Sequence, residues 1–96
     1  MYMKLLISVS VKEKLKEKHG VNISEVEECF LNRCKGFLED TREKNKTNPP
    51  TQWFIAETDH GRNLKVVFVR YPNGSVALKT AYEPNKTEVA IYDRNA

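Results

Sequence analysis

Two turn signals inside one β-rich run constrain this chain more than any other feature. Residues 52–83 hold three runs of β-branched, aromatic and aliphatic side chains. They are Trp53-Phe54-Ile55-Ala56, Leu64-Lys65-Val66-Val67-Phe68-Val69 and Val76-Ala77-Leu78-Lys79-Thr80-Ala81-Tyr82. Asp59-His60-Gly61 separates the first two, and Pro72-Asn73-Gly74 separates the second pair. Such runs, punctuated by Gly, Asn, Asp and Pro, predict two successive hairpins and hence a three-stranded antiparallel meander. The middle run is apolar at consecutive positions, so both faces of the central strand should be covered.

The flanks predict helices before the meander and one after it. Residues 3–8 read as a short strand or an extended lead-in. Ser8 or Ser10 is placed to cap a helix over 11–18, with Val11 and Leu15 four apart on its buried side and Lys and Glu on the other. Gly20 is the natural left-handed stop. Ser24 and Glu27 have capping-box spacing, and Val26, Cys29 and Phe30 give the following helix an apolar stripe that fades near Arg33. Residues 37–41 could add a strand beside the Trp53 run. Residues 42–50 are polar, basic and closed by two prolines, so they read as a loop. Asn85 and Glu88 have capping-box spacing again and open a short helix to about Arg94. The expected fold is α+β: two N-terminal helices packed on a three- to four-stranded antiparallel sheet, with helices on one face and a short C-terminal helix.

Ninety-six residues make a single domain over 1–96. No apolar run is long enough to cross a bilayer, and the apolar start lacks a small-residue cleavage site. The expectation is a cytoplasmic chain with no membrane partner. Cys29 and Cys34 are expected to be reduced thiols at or near the core. Two cysteines with one nearby histidine do not make a zinc site, so no metal and no cofactor are expected. Sixteen basic against 13 acidic residues give a net charge of +3, which permits binding to RNA or to an acidic protein without demanding it.

Several short motifs in fixed order carry a resemblance. They are Lys18-His19-Gly20-Val21, an acidic helix ending in Phe30, Gly61-Arg62-Asn63-Leu64-Lys65-Val66-Val67, and Thr80-Ala81-Tyr82-Glu83-Pro84 with Glu88 and Tyr92 behind it. Together, over roughly residues 11–92, they resemble the BrnT-type toxins of the broader RelE-like class of bacterial ribonuclease toxins. Where those toxins commonly carry an arginine in the last strand, this chain has Tyr82. The resemblance implies a small sheet carrying two N-terminal helices. It also implies an RNA endonuclease neutralised by a cognate antitoxin. The alternative reading is a non-catalytic domain of the same fold that binds protein or RNA.

Metal-independent RNA cleavage needs a base for the 2′-hydroxyl, cations for the phosphorane and an acid for the leaving oxygen. Arg62 is the first choice for phosphate, because its planar fork can hold two oxygens. Its place on a turn predicts a change of only about 0.5 kcal/mol in folding when it is removed. Lys65 and Lys79 lie on neighbouring strands and flank one site if the register aligns them. Otherwise they are edge lysines that discourage aggregation. Tyr82 is a candidate donor or stacking ring, or else a core cap with a wet hydroxyl. Glu83 is a candidate base, and His60 is a candidate by residue type, although Asp59-His60-Gly61 is also a sufficient turn. His19 reads as a helix C-terminal residue favoured by the dipole. Arg42, Lys44 and Lys46 could follow an RNA backbone, and Trp53 could stack on a base or pack in the core. The antitoxin should be acidic and partly disordered alone, and should cover Arg62, Lys65 and Lys79 together.

Overall fold

The computed structural model describes residues 4–41 and 47–96. The meander forms as expected: β3 spans Thr51–Glu57, β4 Asn63–Arg70 and β5 Ser75–Tyr82, in antiparallel succession. Gly61, at φ 83°, closes the first turn in a conformation that other residues rarely adopt. The sheet is larger than expected and it is mixed. Two short strands, β1 (Lys4–Leu6) and β2 (Leu38–Glu39), join its edges in the order β1-β5-β4-β3-β2. β2 pairs antiparallel with Trp53 and Gln52, whereas β1 pairs in parallel with Ser75 to Ala77. A parallel partner must arrive by a crossover, and here the crossover is the whole intervening chain.

The first helix, α1, begins at Val9 rather than at 11, with the Ser8 hydroxyl accepting from Val11 N–H at 3.2 Å. After Lys14 it widens into a π-helical turn, Leu15–His19, which Gly20 ends at φ 60°. α2 spans Ile23–Asn32. Its capping pair is Asn22 and Glu25 rather than Ser24 and Glu27: the Glu25 carboxylate accepts from Asn22 N–H at 3.0 Å. The Asn85–Glu88 box forms as expected, with both reciprocal bonds at 3.0 and 2.8 Å, and opens α3 (Lys86–Asn95).

Side chains alternate across the sheet, so paired residues share a face. Phe54 pairs with Val66, and Val66 with Ala81. This face carries α2: Phe30 and Phe37 meet Phe54 and Phe68 at centroid distances of 4.7–5.6 Å, mostly edge-to-face. Leu15, Val26, Leu64 and Leu78 complete that buried layer. Trp53 lies one residue from Phe54 and so faces the other way, where its ring meets Tyr92 of α3 at 5.7 Å. α3 therefore packs on the face opposite α2, which corrects the expectation of helices on one face. The Tyr92 hydroxyl donates to the Gly36 carbonyl at 2.8 Å and ties α3 to the chain before β2. Both faces of β4 are covered, which accounts for its unbroken apolar run.

Cys29 is buried, with its thiol pushed up to about 12 by burial and then by the nearby Glu28 and Glu25 charges. Cys34 is exposed rather than core, and both thiols are free. Among the described residues, no helix is long and apolar enough to cross a membrane.

Candidate functional site at the end of the last strand

The β4–β5 register sets Lys65 opposite Tyr82, not opposite Lys79. Val67 pairs with Thr80 and Phe68 with Leu78, so Lys79 is the extra residue of a bulge and lies exposed. The alignment of Lys65 and Lys79 across one site is therefore absent, because the bulge breaks the period that sequence spacing assumes.

Lys65 is 7% exposed. Its ammonium sits 4.5 Å from the Trp53 ring centroid and 5.7 Å from that of Tyr82. It donates to Glu88 Oε2 at 2.7 Å, and the Tyr82 hydroxyl donates to the same oxygen at 2.8 Å. Glu88 reaches this point because its other oxygen closes the capping box on Asn85, so the start of α3 aims the carboxylate at the sheet. Burial by itself would raise the Glu88 pKa, but the bonds from Lys65, from the Asn85 backbone and from Tyr82 outweigh it and hold it below the ordinary value. The Tyr82 pKa is raised, first by burial and then by its bond to Glu88, so the phenol keeps its proton at neutral pH.

His19 completes the cluster from the other side. Its ring lies 5.5 Å from the Tyr82 ring. Its pKa is lowered by partial burial and then by Lys14 and Lys18, so the imidazole is biased toward its neutral form. The backbone that carries it is held by Arg62. The guanidinium donates to the His19 carbonyl at 3.2 Å, the Gly20 carbonyl at 2.9 Å, Glu83 at 3.0 Å and Glu25 at 3.3 Å. Arg62 is thus not a bare turn residue. It joins the π-helical turn, α2 and the segment after β5.

The structure therefore brings together Arg62, Lys65, Tyr82 and Glu83 and adds His19 and Glu88. In the sequence Glu88 reads as a helix cap and His19 as a helix end. The available signal was the six-residue step from Tyr82 to Glu88 across Pro84, which returns the chain onto the strand it has just left. His60 is exposed in its turn and takes no part in the network. Trp53, considered for stacking on a base, is 8% exposed and is covered by Tyr92 and Lys65. Arg42, Lys44 and Lys46 lie outside the described residues. Nor does Lys65 need an external partner to cover it, since α3 already does so.

A cleft of about 630 Å³ opens between α2 and the β3–β4 turn, lined by residues that include Asn32, Cys34, Glu57, Asp59 and Asn63. Asn32 Nδ2 donates to the Glu57 carbonyl at 3.0 Å and to Asp59 at 2.9 Å. Its acidic lining disfavours a phosphate. Among the described residues, no group of three or more His, Cys, Asp or Glu side chains is arranged to hold a metal ion. No protein-family model matches the chain, and no curated protein matches it.

Proposed function

We propose that this chain is a toxin-like, metal-independent RNA endonuclease of the BrnT or RelE-like kind, acting in the cytoplasm and neutralised by an acidic, partly disordered antitoxin. The observation that carries the reading is the convergence of His19, Tyr82, Lys65 and Glu88 at one end of β5. In this reading neutral His19 takes the proton of a ribose 2′-hydroxyl. The 2′-oxygen then attacks phosphorus, and the bond to the 5′-oxygen breaks as Tyr82 supplies its proton to that oxygen. The Lys65 ammonium beside the phenol stabilises the charge left on Tyr82. The products are a 2′,3′-cyclic phosphate and a 5′-hydroxyl. His19 returns its proton to Tyr82 through solvent. Arg62 is then a positioning residue that holds the turn bearing His19.

A second reading, a non-catalytic domain that binds protein or RNA, is favoured by a different observation. Arg62 and Lys65 are already paired with Glu25, Glu83 and Glu88, so neither cation is open to a phosphate without displacing a carboxylate. Induced expression separates the two. The nuclease reading expects arrested growth and cleaved RNA, rescued by co-expression of the antitoxin and abolished by Tyr82→Phe. Normal growth with intact RNA and abundant folded protein supports the binding domain.

A further inference from the structure

The two ends of β4 treat their arginines differently. Arg62, just before the strand, is bound by two carboxylates and two carbonyls. Arg70, its last residue, is exposed, and so is Arg33 at the end of α2. Both guanidiniums lie over one ring: the Arg33 Cζ is 4.1 Å and the Arg70 Cζ 5.5 Å from the Phe37 centroid. Neither makes an ion pair with a carboxylate among the described residues. Arg33 uses one donor on the Lys35 carbonyl at 2.6 Å, which fixes its plane, and among the described residues its other donors make no hydrogen bond. Their stems cover the ring, as arginine stems do. Both charges stand on one aromatic platform, and among the described residues no carboxylate is paired with either, which leaves them to a bound anion.

We infer that Arg33 and Arg70 form a phosphate-contact site for single-stranded RNA, built on Phe37. This rests on the RNA reading above and extends it to a surface outside the Tyr82 cluster. The Phe37 ring is engaged by Phe54, Phe68 and the two guanidiniums, so the groups left to a ligand are planar cations. Planar guanidiniums hold phosphate oxygens in pairs and offer a flat face to an unstacked base. This is the chemistry of a flexible nucleic-acid strand more than of a peptide, which would look for an apolar seat beside the charges. Arg70 and Lys65 are five residues apart on β4, so they face opposite sides of the sheet, about 16 Å apart along the strand. The site anchors a strand rather than taking part in its cleavage.

The test is fluorescence anisotropy of a labelled 2′-O-methyl oligouridylate, which the proposed nuclease cannot cleave, titrated with the full chain in EDTA between about 50 and 200 mM salt. Removing two phosphate contacts lowers the slope of log affinity against log salt by about 1.4 for a single strand. Wild type should therefore lose about 7-fold more affinity across this range than the Arg33→Gln/Arg70→Gln double variant. Arg33→Lys/Arg70→Lys, which keeps the charge, should retain most of the slope. An unchanged slope in the double glutamine variant overturns the site, as does wild type that fails to bind at low salt. Displacement of the RNA by polyglutamate at equal charge concentration would identify an acidic-protein surface and overturn the RNA assignment. Because the probe resists cleavage, a missing nuclease activity leaves this result readable.

Discussion

Removing the Arg62 side chain should destabilise the protein well beyond what a turn position suggests. Arg62→Ala deletes a pair with Glu25, a pair with Glu83 and donors to the His19 and Gly20 carbonyls. A hydrogen bond to a charged group contributes about 1.5–3 kcal/mol when it is shielded from water, and an exposed ion pair about 0–1 kcal/mol. The Arg62 side chain is 28% exposed, Glu25 18% and Glu83 65%. The Glu83 pair therefore adds little, and the Glu25 and carbonyl contacts dominate. A loss of about 2–3 kcal/mol follows from these ranges after discounting for solvent. In a domain of this size that lowers the melting midpoint by about 10–20 °C. Urea unfolding and thermal melting followed by circular dichroism measure it. A double-mutant cycle with Glu25→Gln should give a coupling of about 1 kcal/mol. Arg62→Lys should fall between wild type and alanine, because an ammonium cannot reach all four acceptors. A loss below about 0.5 kcal/mol, the size expected at a bare surface position, would refute the assignment of Arg62 as a tie between elements.

Four further outcomes follow from the same geometry. Glu88→Gln should cost about 2 kcal/mol, measured in urea, because it keeps the capping shape but leaves the nearly buried Lys65 ammonium without its counter-charge. The folded-state pKa of His19 is depressed, so its stability contribution is full above the ordinary histidine value of about 6.5. That contribution is lost as pH falls through the folded value, and His19→Gln should flatten this part of the stability–pH curve. Gly20→Ala should cost about 1 kcal/mol by thermal melting. A Cβ there meets nothing within 4 Å, so the penalty is one of backbone conformation and not of space. A thiol reagent should label Cys34 quickly in the native protein and Cys29 only after denaturation, since burial holds the Cys29 thiol at about 12.

Local signals were legible in the sequence and long-range ones were not. The Gly61 turn, the apolar middle strand and the Asn85–Glu88 box are written in adjacent residues, and the structure contains all three. The start of α2 departs from the Ser24–Glu27 expectation: the box forms two residues earlier, on Asn22 and Glu25, where Arg62 also reaches Glu25. The short edge strand β1 has too few residues to show a period, and its parallel partner is about 70 residues away. The bulge at Lys79 follows from how β5 meets β4, which alternation along one strand does not record. The candidate site shows the same division. Arg62, Lys65 and Tyr82 stood out as unusual polar residues in a β-rich run. Glu83, a partner of Arg62, stood out with them, whereas Glu88 read only as a helix cap, because its pairing with Lys65 and Tyr82 depends on α3 folding back across the sheet.

The most direct test of the central claim is incubation of purified protein with end-labelled RNA in EDTA, with products resolved and their termini identified. The account predicts fragments ending in 2′,3′-cyclic phosphate and 5′-hydroxyl, formed more slowly as pH falls below the His19 titration. It also predicts losses of about 100-fold or more for His19→Gln and Tyr82→Phe variants that remain folded. Intact RNA after prolonged incubation with folded wild-type protein, or cleavage unchanged in both variants, would contradict it.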